Sequence, residues 1–129
     1  MSKLETPMTR WYWSQVGGTL VEEFLLTPRS ATSSPRWVDG LILPEGPHRI
    51  AEAEDVNVDG QEVIVVQTKT GRLRMTLMGQ VVFSQRLMYL NYEPTRVRSV
   101  ALCEEEDDVL RPMLEAFEDV EVVIAPHQR

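Results

Sequence analysis

Several features that identify common classes of protein are missing from this sequence. Cys103 is the only cysteine in 129 residues, which excludes an internal disulfide and any zinc or iron–sulfur site built from several cysteines. His48 and His127 are far apart and lie in turn or tail contexts, so they indicate neither a metal site nor a catalytic triad. No apolar run approaches the ~20 residues of a membrane helix. The first residues also lack the hydrophobic stretch of a secretory signal peptide, and we therefore expect a cytoplasmic protein without a membrane partner.

The overall amino-acid composition is typical of a globular protein. Hydrophobic residues make up 43% of the chain and charged residues 26%. The length is that of about one domain, and we expect a single domain over residues 1–129.

The distribution of charge is uneven along the chain. The net charge of −7 argues against nucleic acid as a partner. Residues 69–98, however, carry six basic side chains and one acidic side chain, whereas residues 99–129 carry nine acidic and two basic ones. The basic stretch is long enough to contact a phosphate backbone, although basic and acidic segments can also face each other within a fold.

The hydrophobic pattern predicts alternating helices and strands. An Asp-Gly turn at 59–60 between two β-rich runs is typical of a hairpin. The class is therefore α/β, with helices packed on a sheet. The predicted elements are a helix over about 11–26, strands over 36–43, 50–58 and 62–69, a helix over about 74–90, a strand over 97–102, a helix over 107–117 and a strand over 120–124.

Three polar residues interrupt strands whose pattern is otherwise apolar. Asp39 lies within 37–43, and Gln67 and Lys69 alternate at the end of 63–69. Residues two apart on a strand share a face, so Gln67 and Lys69 point the same way. If the two strands are neighbours, a carboxylate, an amide oxygen and an ammonium group converge. Such a site suits Mg²⁺, which binds one or two carboxylates and keeps several waters.

Residues 65–72 read Val-Val-Gln-Thr-Lys-Thr-Gly-Arg, which resembles the strand that reads acid–any–Lys–Thr–Gly in RecB-like nucleases of the PD-(D/E)xK superfamily. Three more motifs of this family occur in the expected order. Gly18 followed by Glu22 resembles its first-helix motif, Asp39 falls where it keeps a metal-binding aspartate, and Gln85 to Tyr89 match its Gln–three–Tyr motif. The resemblance covers residues 14–90. It implies a restriction-endonuclease-like αβββαβ core with a mixed sheet flanked by helices, followed here by an extra helix and strand.

The resemblance also implies a function and a division of roles. The function would be a Mg²⁺- or Mn²⁺-dependent DNA nuclease, in which a metal-activated water hydrolyses the phosphodiester bond. Asp39 would be the main metal ligand, Gln67 would occupy the second ligand position, and Lys69 would be the catalytic lysine. Glu22 would complete the metal site from the first helix.

Two positions depart from the simplest version of this assignment. Glu22 has the spacing of the motif but lies opposite the apolar face of the predicted helix, whereas Glu23 lies at its flank, so both remain candidate ligands. Gln67 replaces an acid, and we expect weaker metal binding because an amide carries no charge. The side chains expected to line the site or hold the DNA strand are Lys69, Arg72, Arg74, Gln85 and Tyr89.

Two other interpretations fit the same residues. The first is a catalytically inactive domain with this fold that binds DNA or serves in subunit assembly. Such a domain could form a homodimer or be one subunit of a larger complex. A small-molecule-binding α/β protein could instead use Asp39 and Lys69 as a buried ion pair.

Overall fold

A six-stranded mixed sheet with helices on both faces forms the framework of the protein. The computed structural model describes residues 3–127. In the described chain the strand order across the sheet is β3-β1-β2-β4-β5-β6. The elements are α1 (Glu5–Val16), β1 (Thr19–Thr27), β2 (Arg36–Leu43), β3 (Arg49–Ile50), a 3₁₀ turn (Ala53–Asp55), β4 (Glu62–Thr68), α2 (Met75–Asn91), β5 (Arg96–Cys103), α3 (Leu110–Glu115) and β6 (Val120–Ile124).

Among the described strands, β2 alone runs antiparallel to its neighbours. β1 and β2 are antiparallel, as are β2 and β4, whereas β4, β5 and β6 run parallel. The parallel connections pass through α2 and α3, as a parallel crossover requires. The C-terminal end of β4 therefore lies beside the N-terminal half of β2, and this corner of the sheet carries the candidate site.

Apolar side chains cover both faces of the sheet. On one face, Met8 and Tyr12 of α1 pack against alternate residues of the central strands such as Ile42 and Ile64. On the other face, α2 packs against the intervening residues through side chains that include Leu77 and Met88. A sheet buried on both faces explains the nearly continuous apolar runs of its strands.

The predicted helix over 11–26 is wrong. α1 ends at Val16, and Gly17 and Gly18, both with φ of +78°, separate it from β1. A Cβ atom on Gly18 would lie 2.4 Å from the carbonyl oxygen of Leu43, so only glycine fits this position. The apolar residues of 20–25 satisfy helical spacing, but pairing with β2 makes this segment a strand.

The predicted strand over 50–58 and its hairpin are also wrong. This region contains only the two-residue β3 and a 3₁₀ turn, and β4 pairs with β2 and β5 instead. Gly60 does adopt the positive φ expected of a turn residue, at +77°. The remaining predicted elements are confirmed, the strands over 36–43 and 120–124 with their bounds unchanged.

The general α/β class with a mixed, helix-flanked sheet is therefore confirmed. If the two-residue β3 is left out, the structure also has the predicted order of helix, three strands, helix, strand, helix and strand. The number of strands before α2 agrees because β1 was not predicted and the strand predicted over 50–58 is absent. Over residues 3–127, no helix is long and apolar enough to cross a membrane.

Candidate functional site

A cavity of about 510 Å³ lies at the corner of the sheet where β4 ends. The structure brings Asp39 of β2, Gln67 of β4 and Lys69, just after β4, to its wall. Its remaining walls come from the start of α1, the entry to β2 and one face of α2. The lining residues are Glu5, Leu26, Pro35, Arg36, Trp37, Asp39, Gln67, Thr68, Lys69, Gly79, Gln80, Phe83, Ser84 and Leu87.

Asp39 is held where β2 and β4 separate. The last pair of residues joined between these strands is Gly40 with Val66. Beyond it, the Asp39 carboxylate accepts a hydrogen bond of 2.7 Å from the backbone N–H of Thr68. One carboxylate oxygen thus replaces a missing sheet acceptor, and the position of Asp39 is fixed by the backbone of the neighbouring strand.

Burial raises the pKa of the Asp39 carboxyl above its usual value. The hydrogen bond from Thr68 and the charge of Lys69 lower this pKa, whereas the charge of Glu5 raises it. The balance leaves an aspartate whose ionised form is less favoured than in water, as expected of a carboxylate held close to another acid in a partly buried site.

Gln67 is almost fully buried and is held by its amide nitrogen. Its Nε2 donates to Oγ of Ser84 at 2.7 Å and, more weakly, to the carbonyl oxygen of Trp37 at 3.4 Å. Both amide protons are therefore used within the protein. The amide oxygen is the atom that remains to accept a hydrogen bond or to coordinate a cation.

The loop that carries Lys69 is fixed to the end of β5. The backbone N–H of Lys69 donates to the carbonyl of Leu102, and that of Gly71 donates to the carboxylate of Glu104, at 2.9 and 2.8 Å. The Lys69 side chain remains half exposed, with its Nζ 3.9 Å from a carboxylate oxygen of Glu5. A positive charge is therefore presented at the cavity by a well-anchored backbone.

Glu5 is the acidic residue that the sequence analysis missed. It lies in the first turn of α1, lines the cavity and has a mostly buried side chain. The signal was present, because an acid followed by Thr6 and Pro7 is typical of the first turn of a helix. Placing the helix start near residue 11 left Glu5 outside any predicted element.

Glu22 and Glu23 lie on β1 and not on a helix, so their predicted placement is wrong. Glu22 forms a two-point ion pair with Arg10 of α1, at 2.8 and 3.0 Å, on the face of the sheet opposite α2. Glu23 has a φ of +55° and borders a small hollow beside Asp39. Neither glutamate lines the main cavity.

The other side chains expected to hold DNA lie away from the cavity. Gln85 donates to the backbone carbonyls of Val97 and Glu118, and the hydroxyl of Tyr89 accepts from the N–H of Val97. These contacts tie α2 to the opposite end of β5. Arg72 pairs with Glu105, and Arg74 precedes α2; neither lines the cavity.

The stability of the protein should depend on the ionisation of Asp39. Because its pKa is raised on folding, the folded protein keeps this proton at pH values where the unfolded chain has lost it, and the buried charge costs stability at higher pH. We expect Asp39→Asn, which keeps an acceptor for Thr68, to raise the melting temperature at pH 7 in EDTA. The gain should shrink as the pH falls through the raised pKa toward the ordinary aspartate value.

Asp119→Asn is the matched control, and we expect it to lower the stability at pH 7 where Asp39→Asn raises it. The hydrogen bond from Arg96 lowers the pKa of Asp119, so its charge stabilises the folded state at neutral pH. Asparagine tolerates the φ of +60° at this position. A loss of stability in both variants at pH 7 would contradict the account given for Asp39.

Within the chain from 3 to 127, no group of three or more His, Cys, Asp or Glu side chains is arranged to hold a metal ion. Comparisons of the sequence with known protein families, with curated proteins and with solved structures found no match. Function is therefore inferred from the geometry of this cavity.

Proposed function

We propose that this protein is a divalent-metal-dependent DNA nuclease whose active site is the cavity at the end of β4. The observation that carries the proposal is the meeting of Asp39, Gln67 and Lys69 from two neighbouring strands, with Glu5 added from the first helix. A carboxylate pair and an amide oxygen can hold a divalent cation, and a lysine can offset negative charge on a phosphate, which are roles that metal-assisted hydrolysis of a phosphodiester uses.

The order of elements supports a restriction-endonuclease-like core. If the two-residue β3 is counted as an addition, α1, β1, β2, β4, α2 and β5 follow one another as helix, three strands, helix and strand. Asp39 is on the second of these strands, whereas the sequence pattern placed it on the first strand after the helix, and Gln67 is near the end of the third strand with Lys69 just after it. α3 and β6 then extend the sheet beyond this core.

The donors around the cavity fit a hard cation such as Mg²⁺ or Mn²⁺. Asp39 has one carboxylate oxygen that does not accept from Thr68, and Gln67 has its amide oxygen. Glu5 supplies a second carboxylate, in the role that the resemblance assigned to Glu22. One or two carboxylates with additional neutral oxygens are a common protein contribution to a Mg²⁺ site. A bound ion would make a coordinated water more acidic and offset negative charge on the phosphate.

The protein's own side chains would position the substrate. Lys69 would bind a phosphate oxygen and stabilise the negative charge that develops on it. Because Glu5 lies within 3.9 Å of the lysine, it would hold the ammonium group on the cavity side. Gln67, fixed by Ser84, would direct its oxygen without needing to reorient during the reaction.

A second candidate function is a catalytically inactive module that binds DNA. It is favoured by one observation: the position that holds an acid in the related motif holds Gln67, whose amide is already fully used as a donor. A site with less negative charge binds a divalent cation more weakly and can retain affinity for DNA without cleaving it.

Cleavage of linear and single-stranded DNA, measured in Mg²⁺ and in Mn²⁺, tests the proposal. Cleavage that depends on metal and on Asp39 and Lys69 supports the nuclease. Salt-dependent DNA binding without cleavage supports the inactive module. If neither DNA binding nor metal binding is detected, both candidates fail.

A further inference from the structure

Two large aromatic side chains are exposed at the mouth of the candidate cavity. Trp37 of β2 is 55% exposed and Phe83 of α2 is 65% exposed, and both line the cavity. Single exposed apolar residues are normal on protein surfaces. These two aromatic residues come from different elements and line the same cavity beside polar and charged groups.

Both aromatic residues lie close in the chain to Asp39, or to a hydrogen-bond partner of Gln67, the two side chains that would hold the metal. Trp37 precedes Asp39 by two residues on β2, a separation of about 7 Å along an extended strand. Its carbonyl oxygen accepts a hydrogen bond from Gln67. Phe83 is adjacent to Ser84, the other acceptor of the Gln67 amide. The backbone that carries the two aromatic residues is therefore connected to Asp39 and Gln67.

Neither ring contributes to the hydrophobic core. The three clusters of buried side chains in the described chain do not include Trp37 or Phe83. The cavity wall that both rings line carries the basic side chains Arg36 and Lys69, together with the acidic side chains Glu5 and Asp39. Aromatic faces next to basic groups are the combination that binds single-stranded nucleic acid, since bases stack on the rings and phosphates contact the cations.

We infer that Trp37 and Phe83 form a stacking surface for unpaired bases, and that the DNA bound at this cavity is single-stranded. The inference rests on the proposed function and names its substrate. In a duplex the faces of the bases are already stacked on one another, so the two rings have no base to contact unless the helix opens. In a single strand, a phosphate near Lys69 leaves neighbouring bases free to stack on the rings.

Binding without metal tests this inference separately from catalysis. The measurement is fluorescence anisotropy of a labelled 12-nucleotide strand and of a hairpin duplex of equal charge, both in EDTA. We expect the strand to bind more tightly than the duplex, and Trp37→Ala and Phe83→Ala each to weaken strand binding about 5- to 100-fold. Duplex binding should change little.

Phe117→Ala is the matched control, because Phe117 is also exposed, at 44%, but lies among Arg98, Glu118 and Asp119 at the other end of β5. Trp37→Phe keeps an aromatic face and should restore most of the affinity. Equal binding of strand and duplex, or strand binding that both alanine variants leave unchanged, would overturn the inference.

Two further outcomes separate the inference from the proposed function. Strand binding that needs both rings, in a protein that never cleaves DNA, would support the stacking surface and reject the nuclease. The absence of any DNA binding, together with a dimer in sedimentation experiments that Trp37→Ala dissociates, would instead identify this surface as a contact between copies of the chain and overturn the inference.

Discussion

Replacement of Asp39 or Lys69 by alanine is expected to lower metal-dependent cleavage of DNA by at least about 100-fold. Asp39 is the carboxylate that the backbone of Thr68 fixes in the cavity, and Lys69 is a cation on the same wall whose charge lowers the pKa of Asp39. Loss of the first removes a metal ligand, and loss of the second removes the charge that stabilises the phosphate oxygens. Single-turnover rates at saturating Mn²⁺ give the measurement.

Two further variants show whether such a loss is specific to the cavity. Glu22→Ala removes an acid that pairs with Arg10 on the other face of the sheet, and cleavage should persist. Arg98→Ala removes a basic residue at the far end of β5, close to Glu62 and Glu121. If Glu22→Ala abolished cleavage and Asp39→Ala did not, the assignment of the active site to this cavity would be wrong.

Gln67→Glu is expected to tighten binding of Mg²⁺ and Mn²⁺ by on the order of tenfold. A unit charge close to a divalent cation contributes several kcal/mol even when it is partly screened, and the cost of burying the new carboxylate offsets part of this gain. The Ser84 hydroxyl can donate to a carboxylate as readily as it accepts from the amide, so this hydrogen bond persists. Only the weak contact with the Trp37 carbonyl is lost.

Calorimetric titration of the metal measures this change, and two glutamines of α2 serve as controls. Gln80→Glu adds the same charge elsewhere on the wall of the cavity, and Gln85→Glu adds it outside the cavity. We expect the affinity to rise most for Gln67→Glu and not at all for Gln85→Glu. An unchanged titration for Gln67→Glu would exclude Gln67 from the metal site.

The sequence predicted the strands over 36–43 and 120–124 correctly and the first helix wrongly, for a physical reason. These two strands are mostly apolar runs bounded by turns, and their apolar residues are largely buried in the sheet. Residues 20–25 have apolar positions that suit either a helix or a strand, and their pairing with β2 decides between the two. The glycine pair at 17–18 marked the boundary, since two positive φ angles end a helix.

The distinction between local sequence pattern and tertiary packing also explains which site residues could be placed from the sequence. The period of two along a strand puts Gln67 and Lys69 on one side, and the structure brings both to the cavity with Asp39. The contribution of Glu5 depends on where α1 begins and how it packs, which a local pattern does not specify. The spacing of Gln85 and Tyr89 matched a motif, but their hydrogen bonds turn them toward β5.

The position of a bound ion is the most direct test of the account. A crystal of the protein soaked in Mn²⁺, measured with anomalous scattering, locates the ion without reference to catalysis. We predict one peak in the cavity at the end of β4, within coordination distance of oxygens from Asp39 and Gln67. An ion bound elsewhere, beside Glu22 for example, or an empty cavity at saturating Mn²⁺, would contradict the proposal that these side chains form a metal site.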